Sequence, residues 1–202
     1  MKAWWDRIKR LRSPLWVYAA AAIIPVLIIL SSIALAAAFG ALTQPIASRG
    51  AMEFLILVPI MLLLGPLPEE ISFRGYGQHE LQETMTPLSA SIWIGIGVLI
   101  WHAPVFLLGN VTWPFGITIV AVSVVYAWLY RAGNSVWPLV LLHFQVNYFG
   151  GEWLGRSIAD EGQVVYSLFF MAFYLIWMSM IIWRCGPDLC KPASTFGTDD
   201  LR

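Results

Sequence analysis

The sequence predicts an all-α protein, a polytopic transmembrane helical bundle of about six spans. Three observations carry that expectation. Of the 202 residues, 59% are hydrophobic and only 12% charged, whereas soluble domains average roughly 45–50% apolar and about 25% charged residues; the mean hydropathy of +0.72 agrees. The apolar residues fall in long runs, and no run alternates as a lipid-facing barrel strand must. Lysine and arginine cluster on alternate connections between the runs, as they do when a chain threads a bilayer. Length fits one domain, a transmembrane unit over 1–184 followed by a polar tail over 185–202. A formal net charge of zero offers no basic surface to a nucleic acid, so none is expected as a partner.

A helix needs about 20 apolar residues to cross a bilayer. The runs that qualify are roughly 15–42, 51–67, 88–108, 114–131, 136–150 and 164–183. The first follows a basic segment carrying Lys2, Arg7, Lys9, Arg10 and Arg12. Its apolar stretch from Leu15 to Phe39 far exceeds the 7–15-residue core of a signal peptide, so it is expected to remain as a span. The second, AMEFLILVPIMLLLG, runs straight into PLPEEISFRG. Then comes HELQE (His79, Glu80, Glu83), which lacks the second histidine of the helical zinc motif His-Glu-x-x-His and is expected to be an amphipathic helix at the interface. The third, fourth and fifth runs are interrupted by Gly, Pro or His, which blurs their ends. No internal repeat of the kind that builds many transporters is present.

Counting charges orients the chain. With six spans, Lys2, Arg7, Lys9, Arg10, Arg12, Arg74, Arg131, Arg184, Lys191 and Arg202 lie on one side and Arg49 and Arg156 on the other. The richer side is expected to be cytoplasmic, with both termini there. Trp4, Trp5, Trp16, Trp113, Tyr130, Trp137, Tyr148 and Trp183 fall near span ends, as interfacial anchors do. Cys185 and Cys190, four residues between them, are expected to be free thiols in the tail, with no Cys/His cluster of zinc spacing around them. Asn110 fits the Asn-x-Thr acceptor pattern, but so short a connection beside the membrane makes glycosylation a weak expectation.

Ionisable residues inside a span cost roughly 2.5–3.5 kcal/mol each and tend to be functional. Here they occur in three places: Glu69, Glu70 and Arg74 in PLPEEISFRG; His102 in GVLIWHAPVFLLG; and His143, with Asn147, in VWPLVLLHFQVNYFG. Glu70 and Arg74, four apart, share a helix face and can pair, while Glu69 points about 100° away. Pro68 suits a helix's first turn, which places the carboxylates near the positive end of the helix dipole. His143 and Asn147 are also four apart. Polar side chains in lipid must turn inward and find partners, so the three clusters are expected to converge. Taken singly, each could be a packing device; together they supply a base for water and donors for an oxyanion.

These residues resemble the CAAX protease and bacteriocin-processing family, also called the Abi family of intramembrane proteases. EEISFR matches its Glu-Glu-x-x-x-Arg motif, VLIWH resembles its Phe-x-x-x-His motif through His102, and HFQVN meets its His-x-x-x-Asn/Asp motif through His143 and Asn147. Order and spacing agree over about residues 60–150. One departure stands out: the family's phenylalanine is Val98 here, which touches specificity more than chemistry. The resemblance implies a helical bundle with a cavity open to the cytoplasmic side, in which Glu69 and His102 activate a water. Glu70 and Arg74 would pair and hold Glu69 in position, and His143 and Asn147 would bind the oxyanion. A divalent metal such as zinc is left open; if one is bound, Glu69, His102 and His143 are its candidate ligands, and a metal-free site with a glutamate base fits equally well. The expected partners are the bilayer and a membrane-embedded or lipidated peptide or protein. The alternatives are a non-catalytic membrane scaffold or immunity protein that keeps the fold, and a proton-coupled transporter, which six spans without a repeat disfavour.

Overall fold

In the computed structural model, which describes residues 2–46, 48, 50–109 and 111–190, most of the described residues are helical. Helix α1 (Lys2–Ile8) precedes α2 (Leu15–Ala38), a long apolar helix begun by Pro14. Helix α3 (Ala51–Leu64) stops at Gly65, and Pro66 opens α4 (Pro66–Ser72). Proline suits a first turn because its missing N–H would lack a partner there anyway. A π-helical turn, Phe73–Gly77, leads into the short α5 (Gln78–Leu81). Thr86 caps α6 (Pro87–Trp101) by accepting the Ser89 N–H at 3.2 Å. Helices α7 (Ala103–Leu107) and α8 (Pro114–Gly133) follow, and Asn134 in the left-handed region ends α8. Helix α9 (Trp137–Gln145) runs on through a second π-helical stretch, Val146–Glu152, and two 3₁₀ turns bring the chain to α10 (Gln163–Cys185). No strand occurs among the described residues; a single antiparallel bridge joins Thr43 to Ile158.

This is a membrane protein, and the expected helical bundle is present with a different division of spans. Among the described residues four stretches are long and apolar enough to cross a bilayer: Leu15–Ala38, Ala51–Leu81, Pro114–Gly133 and Asp160–Asp188. The third and fifth expected spans are shorter. Helix α6 has 15 residues, about 22 Å at 1.5 Å per residue, and α9 has 9 before its backbone changes pitch. Proline explains the first case. Pro104 has no N–H and its ring excludes the carbonyl of the residue four before it, so α6 breaks at His102.

Helix α8 is the axis of the bundle. It packs on α6 and α10, and its buried residues Val124, Ala127 and Leu129 share one core with Val17, Ala21 and Ile29 of α2, Leu139 and Leu142 of α9, and Tyr174 of α10. By contrast α3 buries no residue and meets the rest mainly through α4 and α9. Gly95 sets the α6–α8 spacing: a Cβ there would lie 2.9 Å from Val120 Cα and 3.1 Å from Ser123 Cβ. Small residues let membrane helices approach backbone to backbone. Because the obstructing atom is backbone, Gly95→Ala should push α6 outward and cost about 1–3 kcal/mol, read as a lower unfolding temperature in detergent.

Two expectations fail outright. Tyr130 and Tyr148 are buried, not interfacial anchors; Tyr148 stacks on Phe144 with ring centroids 5.3 Å apart. Trp5, Trp16, Trp113 and Trp183 are exposed as expected. And Cys185 and Cys190 are not free thiols: they form a disulfide with Cα atoms 4.4 Å apart. A 3₁₀ turn, Gly186–Asp188, and left-handed backbone at Leu189 and Cys190 fold the chain back, and Leu189 is fully buried in the main core. Asp188 shares a surface hollow with Arg131. Asn110, Arg49 and residues 191–202, which include most of the polar tail, lie outside the described residues.

Candidate active site

All six residues singled out in the sequence line one cavity: Glu69, Glu70, Arg74, His102, His143 and Asn147. It holds about 40 Å³ open to water centres, room for roughly three water molecules at the 10–15 Å³ each requires. Five helices frame it. Glu69 and Glu70 come from α4 and Arg74 from the π-helical turn beyond. His102 stands at the break after α6, and His143 and Asn147 on α9 and its π-helical extension; α8 and Phe170 of α10 supply the remaining wall. Two of the three motifs thus end in π-helical turns, which occur frequently at functional sites.

Glu70 is completely buried and is the hub. His143 Nδ1 donates to its Oε1 at 2.8 Å, and Arg74 Nη1 lies 3.4 Å from both of its oxygens. The i, i+4 pairing expected of Glu70 and Arg74 is therefore present, but what the pair visibly holds is His143. Since a carboxylate can only accept, the His143 nitrogen facing it carries a proton. Burying such an ion pair is tolerable only when further hydrogen bonds complete it. Here completion is partial: Arg74 Nη2 donates to Ser123 Oγ at 3.0 Å and the Tyr126 ring lies 4.8 Å from the guanidinium carbon, while Arg74 Nε and Glu70 Oε2 are buried without a hydrogen-bond partner.

Glu69, a residue further round α4, is half-buried, and its Oε2 is buried without a hydrogen-bond partner. An unpartnered buried carboxylate oxygen is costly, and this one lines a cavity with room for water. His102 is held by its own helix. Its Nδ1 donates to the Val98 carbonyl at 2.8 Å, and its backbone N–H reaches the same oxygen at 3.0 Å. That bond protonates Nδ1 and leaves Nε2 as the nitrogen free to exchange a proton. Val98 itself lines the cavity, so the position that departs from the expected phenylalanine both shapes the wall and anchors the histidine.

Glu69, His102 and His143 do not form a metal-ligand set. Among the described residues no three His, Cys, Asp or Glu side chains come together in a way that could hold an ion.

The sequence reasoning missed α8. Ser123 and Tyr126 hold Arg74, and Thr118, Ile119 and Val122 complete the wall. The signal was the polar stripe of Thr118, Ser123 and Tyr126 along an otherwise apolar helix, uncharged and hence unremarked.

The profile of the family described as type II CAAX prenyl endopeptidase Rce1-like matches residues 51–149, the stretch that carries all six cavity residues. A curated protein named CAAX prenyl protease 2, from Methanococcus maripaludis, is 27% identical over 59% of this chain and 50% of its own length. The chain thus spans about half the length of that relative.

Proposed function

We propose that the chain, whose residues 51–149 match the family described as type II CAAX prenyl endopeptidase Rce1-like, is an intramembrane endopeptidase of that family. Its substrate is a membrane-associated or lipidated peptide or protein. The observation that carries this is the buried, unpartnered Glu69 Oε2 in a water-sized cavity that also presents His102, His143 and Asn147.

In this reading Glu69 takes a proton from a water lying between it and His102, and the water oxygen attacks the scissile carbonyl carbon. The carbonyl oxygen becomes an oxyanion, which accepts a hydrogen bond from the Asn147 carboxamide and one from Nε2–H of His143 in its imidazolium form, the form that can donate there while Nδ1–H stays on Glu70. The C–N bond then breaks as the proton taken up by Glu69 passes, with His102, to the departing amine. Glu70 and Arg74 do not touch the reacting atoms; they hold the donor. The apolar surroundings keep bulk water out, so each of these interactions is stronger than it would be in solution.

Purified protein reconstituted in vesicles, given a tagged membrane peptide with and without a prenyl group, tests the proposal. The expected result is a new pair of fragments by mass spectrometry, one ending in a free carboxylate. Intact peptide in both cases, from protein that remains folded, would overturn it. Which of the two peptides is cut faster defines the substrate.

A further inference from the structure

We infer that Ser123 and Tyr126 of α8 are positioning residues for His143, acting through Arg74 and Glu70. The inference rests on the proposed hydrolytic reading for its kinetic consequence but not for its geometry.

The contacts form one continuous relay. Arg74 is almost fully buried and is gripped on three sides: by Glu70 at 3.4 Å, by Ser123 Oγ at 3.0 Å and by the face of the Tyr126 ring at 4.8 Å. The shorter polar contact is the one to Ser123, so α8, as much as Glu70, determines where the guanidinium sits. Arg74 in turn fixes the Glu70 carboxylate, whose Oε1 receives the His143 N–H at 2.8 Å. Tyr126 touches both ends, because its ring also lies 5.8 Å from the imidazole of His143. A side chain that meets the cation and the histidine at once constrains the distance between them.

The consequence is a defined proton position. As long as Glu70 is aimed at Nδ1, that nitrogen keeps its hydrogen, and the ring is held in one orientation toward the cavity. Without Ser123 the guanidinium loses a hydrogen bond that lipid cannot replace; without the Tyr126 ring it loses its wall. In either case Arg74 can turn, Glu70 follows, and the His143 Nδ1–H and the ring lose their fixed direction. Outer partners of this kind typically change function about 10–100-fold when removed. The backbone approach at Gly95, beside Ser123, seats α8 against α6 and so fixes the whole relay relative to His102.

The test uses the full-length protein labelled with ¹⁵N-histidine. It has three histidines, and His143→Gln assigns the signal of interest. Wild-type protein should show His143 protonated at Nδ1. Ser123→Ala and Tyr126→Leu should shift the His143 nitrogen signals while leaving those of His102 in place, and kcat should fall about tenfold or more with KM little changed. Tyr126→Phe, which keeps the ring, should restore both. Unchanged His143 signals in both Ser123→Ala and Tyr126→Leu would overturn the inference. So would loss of the signal pattern in His102 and His143 together, because that reports general loosening and no relay. If the wild-type protein cleaves nothing, the histidine spectra still decide: a shift confined to His143 sustains the relay and removes only the hydrolytic reading.

Discussion

Glu69→Gln should abolish nearly all turnover while leaving expression and detergent stability at wild-type levels. Glutamine keeps the shape and can still hydrogen-bond a water, but it cannot take the proton. Loss of a general base typically costs about 10²–10⁴-fold. Stability should not suffer, because Glu69 Oε2 has no partner to lose; a neutral amide in that place relieves a buried charge. His102→Ala should give the same phenotype, and the double variant should be little worse than either single one, since groups that act as a unit are strongly non-additive. Steady-state turnover with thermal unfolding on the same preparations checks both halves. Full activity in Glu69→Gln would refute the mechanism. One tightly bound zinc per chain, lost in His102→Ala, would replace the carboxylate base with metal-assisted hydrolysis.

Glu70→Ala should act differently, as a folding defect. It strands two groups at once: the buried Arg74 guanidinium and the His143 N–H. Breaking a buried pair by removing one partner typically costs about 3–5 kcal/mol, a large fraction of the stability of a protein this size. Removing the arginine as well, in Glu70→Ala with Arg74→Ala, should recover part of that loss, because the uncompensated charge is gone. Recovery should stay incomplete, since His143 remains unpaired and Ser123 and Tyr126 lose the group they were holding. A double variant as destabilised as the sum of the single ones would show that the two residues do not couple. The readout is the unfolding temperature of each variant with the fraction recovered from the membrane.

The catalytic candidates were legible in the sequence for an energetic reason. A charge inside an apolar run is expensive, so Glu69, Glu70, Arg74, His102 and His143 stood out against their neighbours, and the i, i+4 spacing told which of them share a face. Ser123 and Tyr126 cost little in a helix interior and so left no comparable mark. Helix lengths were less legible, because hydropathy counts apolar residues and does not see where the backbone changes direction. Pro104 cut α6 short at His102, and α9 changes pitch at Val146. Tyr148 misled because the rule that tyrosine marks the membrane surface assumes a straight helix leaving the bilayer. Here the helix continues with a changed pitch through Val146–Glu152 and carries the ring inside. The cysteines misled in the same way: Gly186–Asp188 folds where an extended tail was expected.

Helix α3, fourteen residues long with none of them buried, has a consequence for how the molecule yields to force. A helix inside a core resists displacement because its neighbours would be left with a void. Around α3 the neighbours are acyl chains, which are as apolar as its leucines and flow in behind it. Swinging it therefore exchanges one apolar contact for another, and the resistance comes from the bilayer's own fluidity. Its pivot is Gly65, where a Cβ would lie 3.8 Å from the Asn147 amide nitrogen, and the next turn carries Glu69. The lipid-facing α3 thus ends at the glycine one turn before Glu69, and this flank is more compliant than the packed core around α8.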